Sequence, residues 1–315
     1  MNSILIVGCG FVGNELVRQC RSGNQPTMNH SSGGGTSLST RRAWASGNQS
    51  SGNQPSENQR RVFALTRTAA RADELRAAGA TPIIGHWHDA ATLTSLPTVD
   101  TIIVSVPHRE DSGLGIESHV VGLRNLMQYQ QSVRKLIYLS TTGVYGDAHD
   151  EVDELTSTQP TRIGPQIAVA AEQWLAERFK APQLAIIRLA GIYGPGRIPL
   201  AEKLKSGEVL KVPQEGWLNL VHVSDIAAML LQASDCDLSQ SLYVFSDGNP
   251  VPRMVFYQAL AKLCGVNEPK FAEPDPNATR SQRAGKKRVN PQRLIDELKL
   301  TLQFQSYKEG LANSL

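Results

Sequence analysis

The sequence has few cysteines and few aromatic residues. Its 315 residues include only four cysteines, and aromatic side chains make up 6% of the chain. None of the cysteines belongs to a C-x-x-C pair, which argues against a disulfide framework or a zinc ribbon. No metal site is expected, because His86 and His88 have no third ligand at a helpful spacing. This cysteine usage favours a reducing, cytoplasmic location.

The sequence also lacks a long apolar run and a strong excess of charge. No run approaches the ~20 apolar residues needed to cross a bilayer, so no membrane partner is expected. The N-terminus enters Ile4–Val7 without a basic region before it, which indicates a strand rather than a signal peptide. With 32 basic and 29 acidic residues, the net charge of +3 does not predict a nucleic-acid partner.

Short, nearly continuous apolar runs recur along the chain, separated by segments with helical periodicity. This pattern predicts strands that are buried on both faces of a parallel sheet. The alternation of strand and helix favours an α/β fold, specifically a Rossmann-type doubly wound sheet with a small C-terminal substrate lobe. The predicted strands are Ile4–Val7, Val62–Leu65, Pro82–Ile84, Thr101–Val106, Lys135–Leu139 and Leu184–Leu189.

The stretch from Ser22 to Arg60 differs from the rest of the chain. It repeats Ser-Gly-Asn-Gln three times and contains almost nothing apolar. Such a composition cannot offset the entropy lost on ordering, so a disordered surface insertion is predicted. The alternative is a binding tail that uses Arg41–Trp44.

A glycine-rich loop, Gly8-Cys9-Gly10-Phe11-Val12-Gly13, directly follows the first predicted strand and opens a helix. This G-x-G-x-x-G spacing is typical of dinucleotide binding. Gly8 permits the tight turn, Gly10 allows the backbone to approach a pyrophosphate, and Gly13 lets the helix pack on the strand. A purely structural glycine turn is the alternative.

The residue expected to contact the cofactor ribose lies about 20 positions after the first glycine. Arg67 follows Gly8 by 59 positions (67 − 8), and by 20 once the 39 residues from Ser22 to Arg60 are removed (59 − 39). An arginine beside Thr66 at this strand end suits the 2′-phosphate of NADP, whereas an acid would suit NAD. NADP is therefore favoured over NAD, unless Arg67 is only a solvated charge.

Ser105, Val106 and Pro107 end the fourth predicted strand. They are expected to lie against the cofactor, because ligands bind outside the carboxyl ends of the strands in such sheets.

Five later segments resemble motifs of the extended short-chain dehydrogenase/reductases, specifically the NAD-dependent epimerase/dehydratase family. They are Leu139–Gly146 (LSTTGVYG), Arg188–Gly196 (RLAGIYGPG), Asn219–Asp225 (NLVHVSD), Leu242–Gly248 (LYVFSDG) and Lys287–Leu294 (KRVNPQRL). The resemblance implies a Rossmann body over residues 1–194, joined by 221–248, and a substrate lobe built from 195–220 and 249–315. By analogy with the family, the chain could form a homodimer.

The resemblance also assigns roles to individual residues. Thr141 takes the position of the catalytic hydroxyl, where it could bind a substrate oxygen. His222 resembles a position on the substrate side, and a histidine there could transfer protons, although a structural role is the alternative. The family would place residues near the adenine at His86-Trp87-His88. Arg162 is interpreted as a solvated loop charge, with a place facing the pocket as the alternative. Tyr145 is interpreted as a packing residue, with a catalytic role as the alternative.

One departure bears directly on activity. Active members of the family carry Y-x-x-x-K at the start of a helix, and alignment on Ala171-Glu172 puts Gly164 and Ala168 in those two positions. Neither residue can move a proton. The sequence predicts an NAD(P)-dependent oxidoreductase, epimerase or dehydratase acting on a small polar or sugar-like substrate. The alternative is a non-catalytic sensor or scaffold that binds NADP(H).

Overall fold

The computed structural model describes residues 3–22, 60–108, 113–273 and 285–315. Most of the predicted surface insertion lies outside the described residues. Its two end residues are described: Ser22 closes the first helix, and Arg60 forms an ion pair with Asp235 at 2.6 Å.

The chain forms parallel strands and connecting helices with additional short strands. Within the described residues the strands are β1 (Ser3–Val7), β2 (Arg61–Thr66), β3 (Thr81–Ile84), β4 (Thr101–Val104), β5 (Lys135–Thr141), β6 (Asp150–Val152), β7 (Leu184–Leu189), β8 (Gly191–Tyr193), β9 (Leu210–Lys211), β10 (Trp217–Leu218), β11 (Leu220–His222), β12 (Leu242–Phe245), β13 (Val251–Pro252), β14 (Phe271–Ala272) and β15 (Lys287–Val289). The α-helices are α1 (Phe11–Ser22), α2 (Ala69–Ala77), α3 (Ser118–Tyr129), α4 (Ile163–Arg178), α5 (Ala201–Lys205), α6 (Val223–Asp235), α7 (Arg253–Cys264), α8 (Gln292–Leu298) and α9 (Tyr307–Ser314).

Seven of these strands form one parallel sheet in the order β12-β7-β5-β4-β1-β2-β3. Successive side chains of a strand point to opposite faces of the sheet, and helices cover both faces. Nearly every strand residue is therefore buried, which explains the continuous apolar sequences. In β1, Ile4 and Ile6 contribute to one hydrophobic cluster with α1 and α6, whereas Leu5 and Val7 contribute to another with α3 and α4. The predicted Rossmann-type doubly wound sheet is confirmed, including all six strands identified from their apolar runs.

A third hydrophobic cluster lies outside the sheet, among segments that follow β7. It joins Leu204 of α5, Phe256 and Leu260 of α7 and Leu311 of α9. Short strand pairs, including β10 with β13 and β9 with β14, connect these segments. The predicted domain boundaries remain a prediction.

The strand order reverses between β1 and β4. The chain first builds β2 and β3 on one side of β1 and then returns to build β4 on the other side. Such a switch point creates a crevice at the carboxyl ends of the two strands. Gly8 follows β1 there and Ser105 follows β4, and the Ser105 hydroxyl donates a 2.6 Å hydrogen bond to the Gly8 carbonyl.

No helix among the residues described is both long and apolar enough to span a bilayer.

Candidate active site

The glycine loop occupies the crevice at the switch point. Gly8 has φ +96°, and a Cβ there would lie 2.7 Å from the Ser105 backbone carbon. A Cβ on Gly13 would lie 2.8 Å from the Gly8 carbonyl oxygen, which explains why helix and strand need glycine at this contact. A Cβ on Gly10, by contrast, would meet no atom within 4 Å, so this position faces open space.

Helix α1 begins at this open position, because the Gly10 carbonyl accepts the first helical hydrogen bond from the Asn14 N–H at 2.9 Å. The free N–H groups and positive dipole end of the helix therefore point towards the crevice. Val12 is buried in the core beneath it. The Phe11 ring lies 5.3 Å from the Arg197 guanidinium, so it contacts the segment that follows β8.

A cavity of about 780 Å³ extends from the glycine loop. Its walls come from the carboxyl ends of β1, β2, β3 and β4 and from the start of α3. The lining residues include Gly8, Gly10, Thr66, Arg67, Arg71, Trp87, Val106, Pro107 and His119. Open space at Gly10, a helix N-terminus and basic side chains together fit a dinucleotide, with Gly8 and Gly10 against its pyrophosphate.

Two arginines at this cavity have different surroundings. The Arg71 guanidinium donates to the Cys9 carbonyl at 3.0 Å and also contacts Asn14 and Glu74, so it is tied to the glycine loop. Arg67 is exposed at the end of β2, where it can reach a bound ligand.

Aromatic rings form the far wall of this first cavity. Trp87 stacks on His88 with the ring centroids 5.2 Å apart and meets His119 edge to face at 5.0 Å. His119 Nδ1 lies 2.8 Å from the Tyr138 hydroxyl, and burial lowers the pKa of His119 to about 3. This wall contains the residues expected near the adenine. No group of three potential metal ligands occurs within the described part of the chain.

A second cavity of about 720 Å³ lies beyond the carboxyl ends of β5 and β7. Among the residues that the structure describes, four basic side chains and one acidic side chain line it, which gives these residues a net positive charge. These residues are Arg162, Arg197, Arg253, Lys287 and Asp147. They come from the N-cap of α4, the start of α7, the start of β15 and the segments after β5 and β8, so distant parts of the sequence meet at one site. Arg162 thus lines a cavity, in agreement with the alternative that it faces the pocket.

Thr141 ends β5 at the wall of this second cavity. Its hydroxyl oxygen accepts a 3.0 Å hydrogen bond from the Gly143 N–H, which orients the side chain and leaves its O–H able to donate. The preceding hydroxyl, on Ser140, instead donates to Glu172. The local geometry is therefore compatible with the hydroxyl role that the resemblance implies for Thr141.

A buried ion pair lies next to the end of β5, where Ser140 donates to one of its members, Glu172. Arg188 of β7 binds Glu172 of α4 at 2.7 Å, and both side chains are less than 10% exposed. Arg188 also donates to the Tyr145 hydroxyl at 3.1 Å, while that hydroxyl donates to the Asp153 carbonyl at 2.5 Å. Burial raises the pKa of Tyr145 to about 12. Tyr145 is thus held in packing and is poorly suited to proton transfer.

His222 lies outside the residues that line the two cavities and is only 1% exposed. Its Nδ1 accepts a hydrogen bond from the Ser224 N–H, which caps α6, and its Nε2 lies 3.3 Å from the Ser314 hydroxyl. Burial lowers its pKa to about 4. These contacts agree with the structural alternative, and a catalytic role for His222 remains only a prediction.

The two positions assigned to the missing tyrosine and lysine lie in the first turns of α4. Ala168 is 5% exposed and packs in a small cluster with Val144 and Val244. Gly164 faces the ring of His108, whose Cδ2 would lie 3.4 Å from a Cβ at this position.

The geometry of the sheet, the glycine loop and the two cavities defines a dinucleotide-binding α/β protein. A family model, "NAD dependent epimerase/dehydratase family", matches residues 4–241. The chain belongs to this family, as its motifs indicate.

Individual proteins resemble this chain in sequence or in fold. The chain is 29% identical to Protein YeeZ of Escherichia coli K12 over 220 residues, which covers 69% of this chain and 76% of the relative. It resembles a functionally unknown conserved protein from Silicibacter pomeroyi at 25% identity and TM-score 0.70, covering 99% of this chain and 97% of that one. It also shares its fold with the UDP-glucose 4-epimerase of Thermus thermophilus in complex with NAD, at 17% identity and TM-score 0.72, with 100% and 97% coverage.

Sequence reasoning missed most of the charge around the second cavity, and it missed His119 at the first cavity. Lys287 was marked only as the start of the KRVNPQRL segment, and Arg197 lies directly after the RLAGIYGPG segment. Arg253 and His119 carry no local signal that distinguishes them from ordinary surface or core residues.

Proposed function

We propose that this chain is an enzyme that uses a nicotinamide dinucleotide to oxidise, reduce, epimerise or dehydrate a small polar or sugar-like substrate with a negatively charged group. The observation that carries the proposal is the pairing of a glycine-loop cavity with a basic cavity at the same edge of the sheet. The first cavity suits the dinucleotide, and the second suits the substrate.

Residues of the first cavity have distinct tasks in this proposal. Gly8, Gly10 and the N-terminus of α1 bind the pyrophosphate. Val106 and Pro107 form the wall of the cofactor cavity at the end of β4. When bound, the dinucleotide supplies a hydride acceptor or donor. The chain's own residues position the dinucleotide and the substrate and exclude water from the space between them.

The charge of the second cavity indicates the substrate class. Of the charged residues described there, Arg162, Arg197, Arg253 and Lys287 are basic and Asp147 is acidic. Arginines bind phosphate and carboxylate groups in bidentate fashion, so an anionic substrate fits better than a neutral one. A nucleotide sugar meets this requirement, and the structurally similar T. thermophilus protein is named for such a substrate. Thr141 is proposed to donate its O–H to the substrate oxygen at the reacting carbon.

NADP is proposed as the preferred cofactor because Arg67 is exposed at the end of β2, on the wall of the first cavity. Arg67→Asp should shift the ratio of NADPH to NADH affinity towards NADH by more than tenfold, since it replaces attraction for the 2′-phosphate by repulsion. The matched control is Arg61→Asp, at the exposed opposite end of the same strand. Calorimetric titration of both variants measures the ratio, and an unchanged ratio in Arg67→Asp would refute the 2′-phosphate role.

The enzymatic proposal is tested by titrating the purified protein with NADPH and NADH and then following turnover. Substrates are a panel of aldehydes, ketones and nucleotide sugars, monitored by reduced-nicotinamide absorbance and by NMR for epimerised or dehydrated products. Thr141→Val, which keeps the shape and removes the hydroxyl, should bind the dinucleotide normally and lose on the order of 10²–10³ in kcat. Dinucleotide binding without turnover of any substrate would favour the sensor or scaffold alternative, and no dinucleotide binding would exclude both.

A further inference from the structure

One tyrosine of the second cavity has a hydroxyl with no hydrogen-bond partner among the residues that the structure describes. Tyr257 lines this cavity, and its side chain is only 1% exposed. Its hydroxyl forms no hydrogen bond there, yet it is not one of the unpaired polar atoms that are fully shielded from solvent. The small accessible part of this side chain therefore includes the hydroxyl, at the surface of the cavity.

Packing fixes the position of the Tyr257 ring. The ring meets Phe256 edge to face with the centroids 5.2 Å apart, and it meets Phe271 of β14 at 6.2 Å. Tyr257 and Phe256 belong to the third hydrophobic cluster, against which Phe271 packs. A side chain that is already immobile loses little further entropy when its hydroxyl binds a ligand. The hydroxyl is therefore preorganised for a ligand atom inside the cavity.

Arg253 lies one helical turn before Tyr257 on the same wall. It begins α7, and Tyr257 follows four residues later, so the two side chains are neighbours on one face of the helix. Arg253 also lines the second cavity, and its backbone N–H donates to the Gly216 carbonyl at 2.9 Å, which holds this end of the helix in place. Burial raises the pKa of Tyr257 to about 12, and the nearby charge of Arg253 opposes part of this rise. The guanidinium and the phenol thus act on each other electrostatically.

Both groups are hydrogen-bond donors at neutral pH. A guanidinium only donates, and although burial lowers the pKa of Arg253, its ordinary value is so high that the group stays charged. The phenol of Tyr257, with a pKa of about 12, keeps its proton, so its O–H can donate but is poorly suited to proton transfer. Two donors and one positive charge on the same wall match the oxygen atoms of an anion.

The sheet and the segments outside it both contribute to this cavity. Thr141 lies at the end of β5, within the sheet, whereas Tyr257 lies on α7, which packs with α5 and α9 in the third hydrophobic cluster. A substrate that reaches from Thr141 to α7 therefore presents two different groups to the two walls. The group at Thr141 is the one that reacts in the proposed function, so the group at α7 serves recognition.

We propose that Tyr257 and Arg253 form the subsite for a phosphate group of the substrate, with the phenol O–H and the guanidinium donating to its oxygen atoms. This inference rests on the proposed function and assigns the direction of the substrate, whose reacting carbon lies at Thr141 and whose phosphate lies at the start of α7. A phosphate fits better than a carboxylate, because Arg197 and Lys287 add positive charge to the same cavity and a phosphate group can carry two negative charges. Tyr257 is a specificity-determining residue here and transfers neither proton nor hydride.

The first test removes only the hydroxyl. Tyr257→Phe keeps the ring and the charge of the cavity, and the matched control is Tyr307→Phe, the same change in the same hydrophobic cluster at a residue that lines neither cavity. The probe is inorganic pyrophosphate, titrated by calorimetry into protein saturated with NADPH, which occupies the first cavity. The Kd of pyrophosphate should rise by about tenfold or more in Tyr257→Phe, because a hydrogen bond to a charged group is lost, and stay within about twofold of wild type in Tyr307→Phe.

Kinetics on the panel substrate that wild type converts separate recognition from reaction. Tyr257→Phe should raise KM by about tenfold or more and keep kcat within about threefold of wild type, since the lost contact serves the bound substrate and the transition state equally. Thr141→Val should do the reverse: it lowers kcat and leaves the Kd of pyrophosphate within about twofold of wild type. This contrast tests the direction in which the substrate lies.

The two proposals fail in different ways. If no substrate is converted but Tyr257→Phe weakens pyrophosphate binding as expected, the enzymatic proposal fails and the phosphate subsite stands as a ligand site. If wild type converts a substrate but binds no pyrophosphate, or if Tyr257→Phe retains the wild-type Kd and KM, the subsite is overturned and the enzymatic proposal stands. A loss of kcat at unchanged KM in Tyr257→Phe would place this residue at the reacting carbon and also overturn the inference.

Discussion

Two glycines separated by one residue should respond in opposite ways to the same substitution. Gly8 has φ +96°, and an added Cβ would lie 2.7 Å from the backbone carbon of Ser105. Gly10 has no positive φ, and an added Cβ would meet nothing within 4 Å. Gly8→Ala therefore tests the fold, whereas Gly10→Ala tests the space reserved for a ligand.

The magnitudes follow from these two environments. Alanine at Gly8 costs about 1–2 kcal/mol for the left-handed backbone. The overlap with backbone, which cannot rotate away, adds about 1–3 kcal/mol, so the free energy of unfolding should fall by roughly 2–5 kcal/mol. At Gly10 a poorer N-cap costs about 0.5–1.5 kcal/mol, and lower entropy of the unfolded chain returns about 0.4–1 kcal/mol. Its stability should therefore change by less than about 1 kcal/mol.

The affinity for NADPH should be lowered by Gly10→Ala, the substitution that leaves stability nearly unchanged. The methyl group of Gly10→Ala would stand where the pyrophosphate approaches the backbone, so NADPH affinity should fall by at least about tenfold, or 1.4 kcal/mol. Urea unfolding followed by circular dichroism measures the stabilities, and calorimetry measures the affinities. Wild-type affinity in Gly10→Ala would refute the assignment of this space to the cofactor. Wild-type stability in Gly8→Ala would refute the close contact between the loop and β4.

Further predictions concern the buried charges. Glu172→Gln leaves the Arg188 guanidinium without its buried counter-ion, so the free energy of unfolding should fall by about 3–5 kcal/mol; Glu177→Gln, which breaks an exposed pair on the same helix, should change it by less than about 1 kcal/mol. At a second buried acid, Asp247, burial raises the pKa to about 7, well above the value of about 3.9 for an unfolded aspartate. The folded state therefore retains the proton to higher pH, and the resulting stability is present below about pH 4 and lost as pH rises towards 7. Asp247→Asn can still accept the hydrogen bond from Asn249, so urea unfolding should find it more stable than wild type at pH 8 by up to ~4 kcal/mol and similar at pH 4; equal stabilities at both pH values would contradict the raised pKa.

The fold was largely predictable because its signals are local. Apolar runs such as Ile4–Val7 and Leu184–Leu189 are long enough to identify buried strands, and the helical segments between them require parallel crossovers. The glycine loop is a contiguous motif whose conformational needs can be derived from Gly8, Gly10 and Gly13 alone.

The candidate site was only partly predictable. Thr141 was identified through its motif, and the structure places it on the second cavity. His222 has the same kind of motif support, but its side chain caps α6 and contacts Ser314, a residue 92 positions away, which no local pattern indicates. The sequence left open whether Arg162 faces the pocket or is a solvated charge, because its sequence neighbours say nothing about Arg253 or the other cations that share its cavity.

The sequence by itself determined the order of strands and helices, the glycine loop and the family. Only the tertiary structure brought Arg162, Arg197, Arg253 and Lys287 together around one cavity, and placed the buried imidazole of His222 beside Ser314. The reason is physical: backbone conformation and strand burial depend on neighbours along the chain, whereas the charge of a cavity and the pairing of a buried imidazole depend on residues that meet only after the sheet has formed.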